Sequence, residues 1–476
     1  FKEVREVFIG NLLFAPAPAL PMRLFQIWIG TIYIAWVCAM FAQSDMLLGP
    51  NGLASAGMTG VYLGNSLGGH LFFAARWAGF SDPLFLNFCF AATLCGALSL
   101  ILGRGPRVAA VLLFCTLSVL QQRALFTMYG GDTLLKLFLV YIFLAPAPAL
   151  SASELSKVIP GAGFRLCKLQ ITFIYISTAL WKAASTDWWN GRAIYNALNS
   201  ANYSRIADIL PPDSPLLFQI LGLSVMAIEF LLGILLWSKG TRWRMSAVAL
   251  GVALHLGIES FMVIPFWQWT MMGALILFVP QEILVKAIAY FKPLPAPNSG
   301  PKTAAPMTPA PNIFTRAAVW CWVVLALVAS PPFFGLHAKI HAQTSQAISY
   351  LAIWQDWRMF SKMSPDTIRI EAKAVLADGR IVSWHSPRFN ELSYFASYRY
   401  GRFNKWIENI QLAAGPESDY WKTTANYIAS EIARRENGRL IKIRVQGKVT
   451  RPKTFDDEIL CDHLYRVRRR GLLVVF

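Results

Sequence analysis

The chain has 476 residues, 55% hydrophobic and only 15% charged, with a mean hydropathy of +0.44. A soluble domain averages about 25% charged residues, and the deficit is uneven: residues 1–335 carry 21 Lys/Arg and 12 Asp/Glu, while residues 336–476 carry 23 and 14. This excludes a single soluble globule, a disordered chain and a fibrous repeat. It predicts an all-α polytopic membrane bundle followed by a soluble, basic C-terminal α+β domain.

In chain order, runs of roughly 20 apolar residues mark nine spans, at about 23–43, 83–103, 107–128, 133–150, 164–183, 215–237, 243–263, 266–285 and 314–335. The chain opens at Phe1 and not at Met, so a preceding N-terminal piece is expected. Residues 44–82 are rich in Gly and Ser and suit an interfacial helix. Residues 184–214 open with Ser185-Thr186-Asp187-Trp188-Trp189-Asn190-Gly191, which holds an aromatic pair suited to headgroup level. Residues 293–313, with seven prolines, read as a cytoplasmic linker. The hexapeptide Ala-Pro-Ala-Pro-Ala-Leu occurs at 15–20 and again at 145–150, too few copies for a structural repeat.

Beyond the spans, Thr367–Ala377 alternates apolar residues up to Asp378-Gly379 and continues into Ile381-Val382-Ser383-Trp384, a hairpin pattern. Residues 418–436 read as a helix and Leu440–Val445 as another strand. This basic domain is expected to fold by itself and to meet anionic headgroups or an acidic protein partner; a nucleic-acid partner is not expected. Six of the seven cysteines fall in apolar stretches without metal spacing, so they read as small hydrophobes and not as ligands or disulfides.

Ionisable residues inside spans are expensive, and each carries a functional reading beside a structural one. Asp132 and Lys136, four apart on one helix face, are either a local ion pair or site groups. Lys182 ends the fifth span before Trp188; it either snorkels to water or acts as a base in an apolar pocket. His255 and Glu259 lie one turn apart, so Glu259 is expected to orient the histidine. Glu229 is deep in the sixth span and must find Arg, Lys, His or Tyr on another helix. Asp132, Lys136, Lys182, His255 and Glu259 fall in the outer half of their spans, and Arg123, near the end of the third span, joins those five. That shared depth favours a site, with Lys182, His255, Asp132 and Glu259 catalytic and Arg123, Lys136, Trp188 and Glu229 binding substrate.

These residues carry a resemblance. Arg123, Gly131-Asp132-Thr133-Leu134-Leu135, Leu169-Gln170-Ile171 through Tyr175, Lys182, Trp188, Gly191, Glu229 and His255 resemble the bacterial horizontally transferred transmembrane (HTTM) proteins over roughly residues 20–285. Trp354-Gln355-Asp356-Trp357-Arg358-Met359-Phe360 is similar to their extramembrane tails. Composition, apolar runs and charge bias divide the chain into an HTTM-like transmembrane bundle over 1–292, the linker 293–313, a last helix at 314–335 and an extracytoplasmic domain over 336–476.

The resemblance implies a distant relation to vitamin K-dependent γ-glutamyl carboxylases, whose lysine base precedes an Asp-Trp-x-x-Gly segment as Lys182 precedes Asp187–Gly191. A reduced quinone is the cofactor so implied, and carboxylase-, lyase- or quinol-linked chemistry the activity. Asp132 stands about where the carboxylases have a functional histidine, which implies a different substrate or no carboxylation. Two functions follow: an enzyme doing base-initiated chemistry on a lipid, quinol or membrane-associated polypeptide at the outer face, or an anchoring subunit or maturation factor of a membrane complex that binds protein through 336–476.

Short segments on one side hold fifteen basic residues and those on the other hold five. This positive-inside bias puts the linker in the cytoplasm and residues 336–476 outside, in the periplasm of a bacterial inner membrane. A single cysteine at Ser430→Cys, on a cysteine-free background, should react with an impermeant maleimide in intact spheroplasts. Labelling only after permeabilisation would reverse the assignment.

Overall fold

The computed structural model describes residues 13–54, 64–151, 154, 157–200, 202–207, 214–291, 316–317, 319–323, 346, 348–355, 357–361, 367–413, 419–450 and 469–475. The proline linker 293–313, most of the ninth predicted span and Cys461 lie outside these residues. The principal helices of the N-terminal part are α1 (Ala19–Ala42), α2 (Leu67–Trp77), α3 (Asp82–Leu102), α4 (Pro106–Arg123), α5 (Gly130–Leu144), α6 (Gly161–Ala183), α7 (Arg192–Asn199), α8 (Pro215–Leu235), α9 (Thr241–Phe261), α10 (Trp267–Leu275) and α11 (Gln281–Phe291). Boundaries follow local chemistry. Proline opens α4 and α8 and lies in the first turn of α3, where a missing N–H costs nothing. Gly103 ends α3 in the left-handed region at φ 69°, and two backbone bonds close the last turn.

The long helices alternate in direction, with α1 against α3, α3 against α4, α4 against α2 and α5, and α6 against α5 and α8. The bundle therefore has two ends. At the lower end, Arg23 donates to Leu100 O (2.5 Å) and Ile101 O, capping α3. Arg165 donates to Ala15 O and Pro16 O, and β1 (Ala17–Pro18) pairs antiparallel with β2 (Val158–Ile159). Both Ala-Pro segments lie here. In the amide orientation that satisfies both groups, Gln26 bridges the N–H and C=O of Ala147. Proline-rich chain lacks its own ladder donors, so helix side chains take up its backbone groups.

Three helices, α1, α3 and α8, are long and apolar enough to cross a membrane, and a bent pair formed by residues 267–278 with α11 raises the number to four. Nine spans are thus more than the described helices support. The predicted eighth span, 266–285, is broken at Val279–Pro280 by a bend of 105°. The fourth, 133–150, ends as helix at Leu144 before the Ala-Pro segment. The helices α4, α6 and α9 carry Arg, Lys, Gln or Glu side chains that lower their hydropathy. Outward faces nonetheless stay apolar: Leu84, Phe88, Leu94, Leu98 and Leu102 on α3, and Leu216, Leu217, Ile220, Phe230, Leu231 and Ile234 on α8, are exposed. Soluble monomers rarely expose large contiguous apolar faces, and these two fit a hydrocarbon surround.

The C-terminal part is α+β, as its sequence pattern predicts. Four antiparallel strands run in the order β4 (Ile381–His385), β3 (Thr367–Leu376), β5 (Leu440–Thr450), β6 (Arg469–Val475). Pairs Ala372–Val445 and Ala374–Ile443 bring buried faces into register. The helices α12 (Tyr394–Ala413) and α13 (Asp419–Glu436) belong to this part, and α13 packs on the sheet. The pattern had not marked α12 or β6.

This part shares its core with the bundle. One hydrophobic core runs from Leu13 through the bundle to Val445, and α12 lies across the upper end of the bundle. Arg402 on α12 reaches Asp132 at the start of α5 with two bonds, Nη2–Oδ1 at 2.7 Å and Nη1–Oδ2 at 3.1 Å, both side chains buried. Tyr129 donates to Gly401 O, Asn409 to Phe126 O and Tyr203 to Glu408.

Arg402→Met should therefore leave Asp132 as an unpaired buried carboxylate, at a cost of about 3–5 kcal/mol. Thermal or denaturant unfolding in detergent measures it, and adding Asp132→Asn should restore most of the loss. A change below about 0.5 kcal/mol for Arg402→Met would show that α12 is not locked there.

Candidate functional site

The structure sorts the predicted site residues into separate groups. Asp132 and Lys136 do not pair with each other. Asp132 has both oxygens filled: Oδ1 accepts from Trp36 Nε1 (2.6 Å) and Arg402, and Oδ2 from Tyr129 N (2.8 Å) and Arg402. Lys136, fully buried, donates to Leu351 O at 2.9 Å, with its ammonium 5.5 Å from the Phe114 ring centre. Arg123 is buried elsewhere, over Phe72 and 4.0 Å from Asp82.

The expected His255–Glu259 couple is also corrected. Glu259, at the upper end of α9, turns to the C-terminal part: its Oε1 accepts from Tyr394 and Tyr398 hydroxyls, each at 2.7 Å, and lies 3.5 Å from Arg205 Nη2. His255 is oriented by Gln268 instead. Its Nδ1 is 2.6 Å from Gln268 Oε1 and its Nε2 is 2.8 Å from the Tyr175 hydroxyl. With an amide oxygen as its partner, Nδ1 carries the proton and Tyr175 donates to Nε2. The backbone at Phe266, φ 62°, opens α10 two residues before Gln268. A bulky residue in the left-handed region is strained, and here it sets the helix that carries the histidine's partner.

Lys182 and Glu229 meet. The Lys182 Nζ–Glu229 Oε1 distance is 2.5 Å, between α6 and α8, and both residues are buried. The search for a partner of Glu229 on another helix, required by its position in the sequence, ends at Lys182. Trp188 covers the pair, its ring 4.7 Å from the ammonium. The turn behind Trp188 works because Gly191 sits at φ 80°, where a Cβ would lie 2.5 Å from Gln219 N on α8. The indole N–H of Trp188 is tied to Phe360 O at 2.9 Å, within the chain that crosses above. Lys182 is within electrostatic range of His255, and Glu229 of Tyr175.

The site the geometry assembles is thus Lys182, Glu229, Trp188, Tyr175, His255 and Gln268, drawn from four helices and the turn after α6. Two of its buried polar atoms, Glu229 Oε2 and Gln268 Nε2, have no hydrogen-bond partner among the described residues. Among those residues no three His, Cys, Asp or Glu gather to hold a metal ion. Gln268 was invisible in the sequence pattern, since an amide beside two tryptophans has no motif. Compared with family models, curated proteins and solved structures, the chain matches none.

The Glu259 group gives the structure a pH signature. Burial and then the neighbouring Glu259 carboxylate push the Tyr398 hydroxyl well above its ordinary range, and burial pushes Tyr394 up. An acid held protonated by the fold contributes stability that is complete below the unfolded pKa, about 10 for tyrosine, and is lost as the pH rises beyond it. The melting temperature should fall between pH 9 and pH 11 (roughly the window around that value). Tyr398→Phe should start lower and fall less steeply. Parallel curves would remove Tyr398 from the effect.

Proposed function

We propose that the chain is an HTTM-type integral membrane protein whose Lys182–Glu229 pair does base-initiated chemistry on a lipid, quinol or membrane-associated polypeptide. The apolar outward faces of α3 and α8 support the membrane reading, and the excess of basic residues on one side supports a periplasmic location for residues 336–476.

One contrast carries the enzymatic reading. Among the described residues two ion pairs have both side chains under a tenth exposed, Arg402–Asp132 and Lys182–Glu229, and only the first has both carboxylate oxygens hydrogen-bonded. Asp132 has all its oxygen valences engaged, as a pair kept for structure requires. Glu229 keeps one buried oxygen free, a loss of about 1–3 kcal/mol that structure alone does not call for. Free capacity beside a lysine, a histidine and a tyrosine is what a proton-transfer site needs.

On this reading the Lys182 ammonium passes a proton to Glu229 Oε1, leaving an amine and a carboxylic acid. The amine then takes a proton from the substrate, and Tyr175 and His255 hand protons on at the far side. Trp188 keeps water from the amine. The two unpartnered atoms suit the reduced quinone that the family resemblance implies: Glu229 Oε2 would accept from its hydroxyl and Gln268 Nε2 would donate to its oxygen. Once bound, that group would supply a two-electron reductant, with Lys182 remaining the base. A second reading, an anchoring subunit, is favoured by Ile381 (71% exposed) and Ile441 (48% exposed) on the C-terminal strands.

Lys182→Met alone would strand Glu229, so the informative variant is Lys182→Met/Glu229→Gln, which removes the charges together and keeps the shape. It should reach wild-type abundance in the membrane and fail to restore the phenotype of a deletion strain. Lys182→Arg, which keeps a cation unable to act as a base, should fail as well. Full restoration by both variants at normal abundance favours the anchoring subunit.

A further inference from the structure

At the lower end of the bundle, α6 and α9 bring cations together with no carboxylate in ion-pair range among the described residues. Lys168 on α6 has its ammonium boxed by aromatic rings, 4.6 Å from the centre of Phe278, 4.7 Å from Trp237 and 5.7 Å from Phe164. Arg244, in the first turn of α9, and Arg165 are within electrostatic range of that ammonium. Arg165 is occupied by the carbonyls of Ala15 and Pro16. Neither Lys168 nor Arg244 has a carboxylate within ion-pair distance among the described residues, and Arg244 Nε is buried with no hydrogen-bond partner.

The backbone adds to the same field. The residue before α9 is Gly240, which has no side chain to cap it, and the first turn of α9 carries Arg242 and Arg244 and no acid. Basic residues at the positive end of a helix dipole oppose it, and the first-turn N–H groups lack partners within the helix. Like charges gathered around uncapped N–H groups are stable when an anion joins them. Two part-exposed tryptophans, Trp237 and Trp243, flank the place, as at a headgroup level, and the exposed Phe230, Leu231 and Ile234 lead away from it along α8.

We infer that the Lys168–Arg244 corner is a binding site for a phosphate oxyanion, supplied by the headgroup of an anionic membrane lipid whose chains follow the outer face of α8. Trp237 and Phe278 hold the Lys168 ammonium toward the phosphate, and the uncapped N–H groups of α9 supply further donors. Basic pockets between helices at a membrane surface bind headgroups in this way. The inference rests on the bundle spanning a membrane, which resistance of the full-length protein to carbonate extraction checks separately.

The test is native mass spectrometry of the full-length protein in detergent, titrated with phosphatidylglycerol or with phosphatidylcholine. The wild type should retain one phosphatidylglycerol in preference to phosphatidylcholine. In Lys168→Gln/Arg244→Gln that adduct should weaken by about tenfold or more, as loss of two charge-assisted contacts requires, with phosphatidylcholine retention and melting temperature unchanged. Equal retention of the two lipids by the wild type, or an unchanged adduct in the variant, overturns the site. Inorganic phosphate that displaces phosphatidylglycerol at millimolar concentration would overturn the lipid as the source. If the double variant melts lower, Lys168→Arg/Arg244→Lys, which keeps both charges, should retain the adduct, and its loss there also overturns the site.

Discussion

The Arg402–Asp132 pair decides how this chain is put together. Among the described residues the carboxylate buried at the start of α5 forms no ion pair with a cation on the bundle helices, and the charge that pairs with it comes from 270 positions along the chain. Because a buried carboxylate left alone is so costly, the C-terminal part has to dock for the bundle to be stable. The neighbouring contacts are fixed by the same placement: Gly401 beside Pro265, Tyr398 on Glu259, Asn409 on Phe126. The bundle and the sheet then share one core.

The same rule, that a buried polar group must find its complement, explains which parts of the structure were legible in the sequence. Apolar runs and turn residues located most of the helices, and period-two alternation located the β3–β4 hairpin. Glu229 announced its need for a partner, and the spacing of Lys182 before Trp188 and Gly191 marked the turn that covers it. What failed was inference from neighbours along a helix. Asp132 with Lys136, and His255 with Glu259, are correctly spaced for i, i+4 pairing, yet each found a better complement on another element. The amphipathic α12 escaped notice because its tyrosines and arginines face the top of the bundle, so a helix that is buried by polar contacts reads as solvated.

The span count went astray for a related reason. Hydropathy counts side chains one by one, whereas a bundle can hide polar residues of α4, α6 and α9 against neighbouring elements, so that among the described helices α1, α3 and α8 alone are both long and plainly apolar. The proline at 280 turns α11 away from α10. Positions of helices were read well; their number of crossings was not.

Trp188 bonds to Phe360 and its ring covers the Lys182 ammonium, so the pair is roofed from the aqueous side. Phe360 itself sits at φ 56°, a conformation a phenylalanine adopts only when held. A visitor from water would have to unfasten that roof. On the proposed reading, a visitor dissolved in hydrocarbon meets the exposed leucines, isoleucines and Phe230 of α8, the helix that itself carries Glu229. On that reading the roof would act as a solubility filter, selecting guests by where they partition before any hydrogen bond inspects their shape.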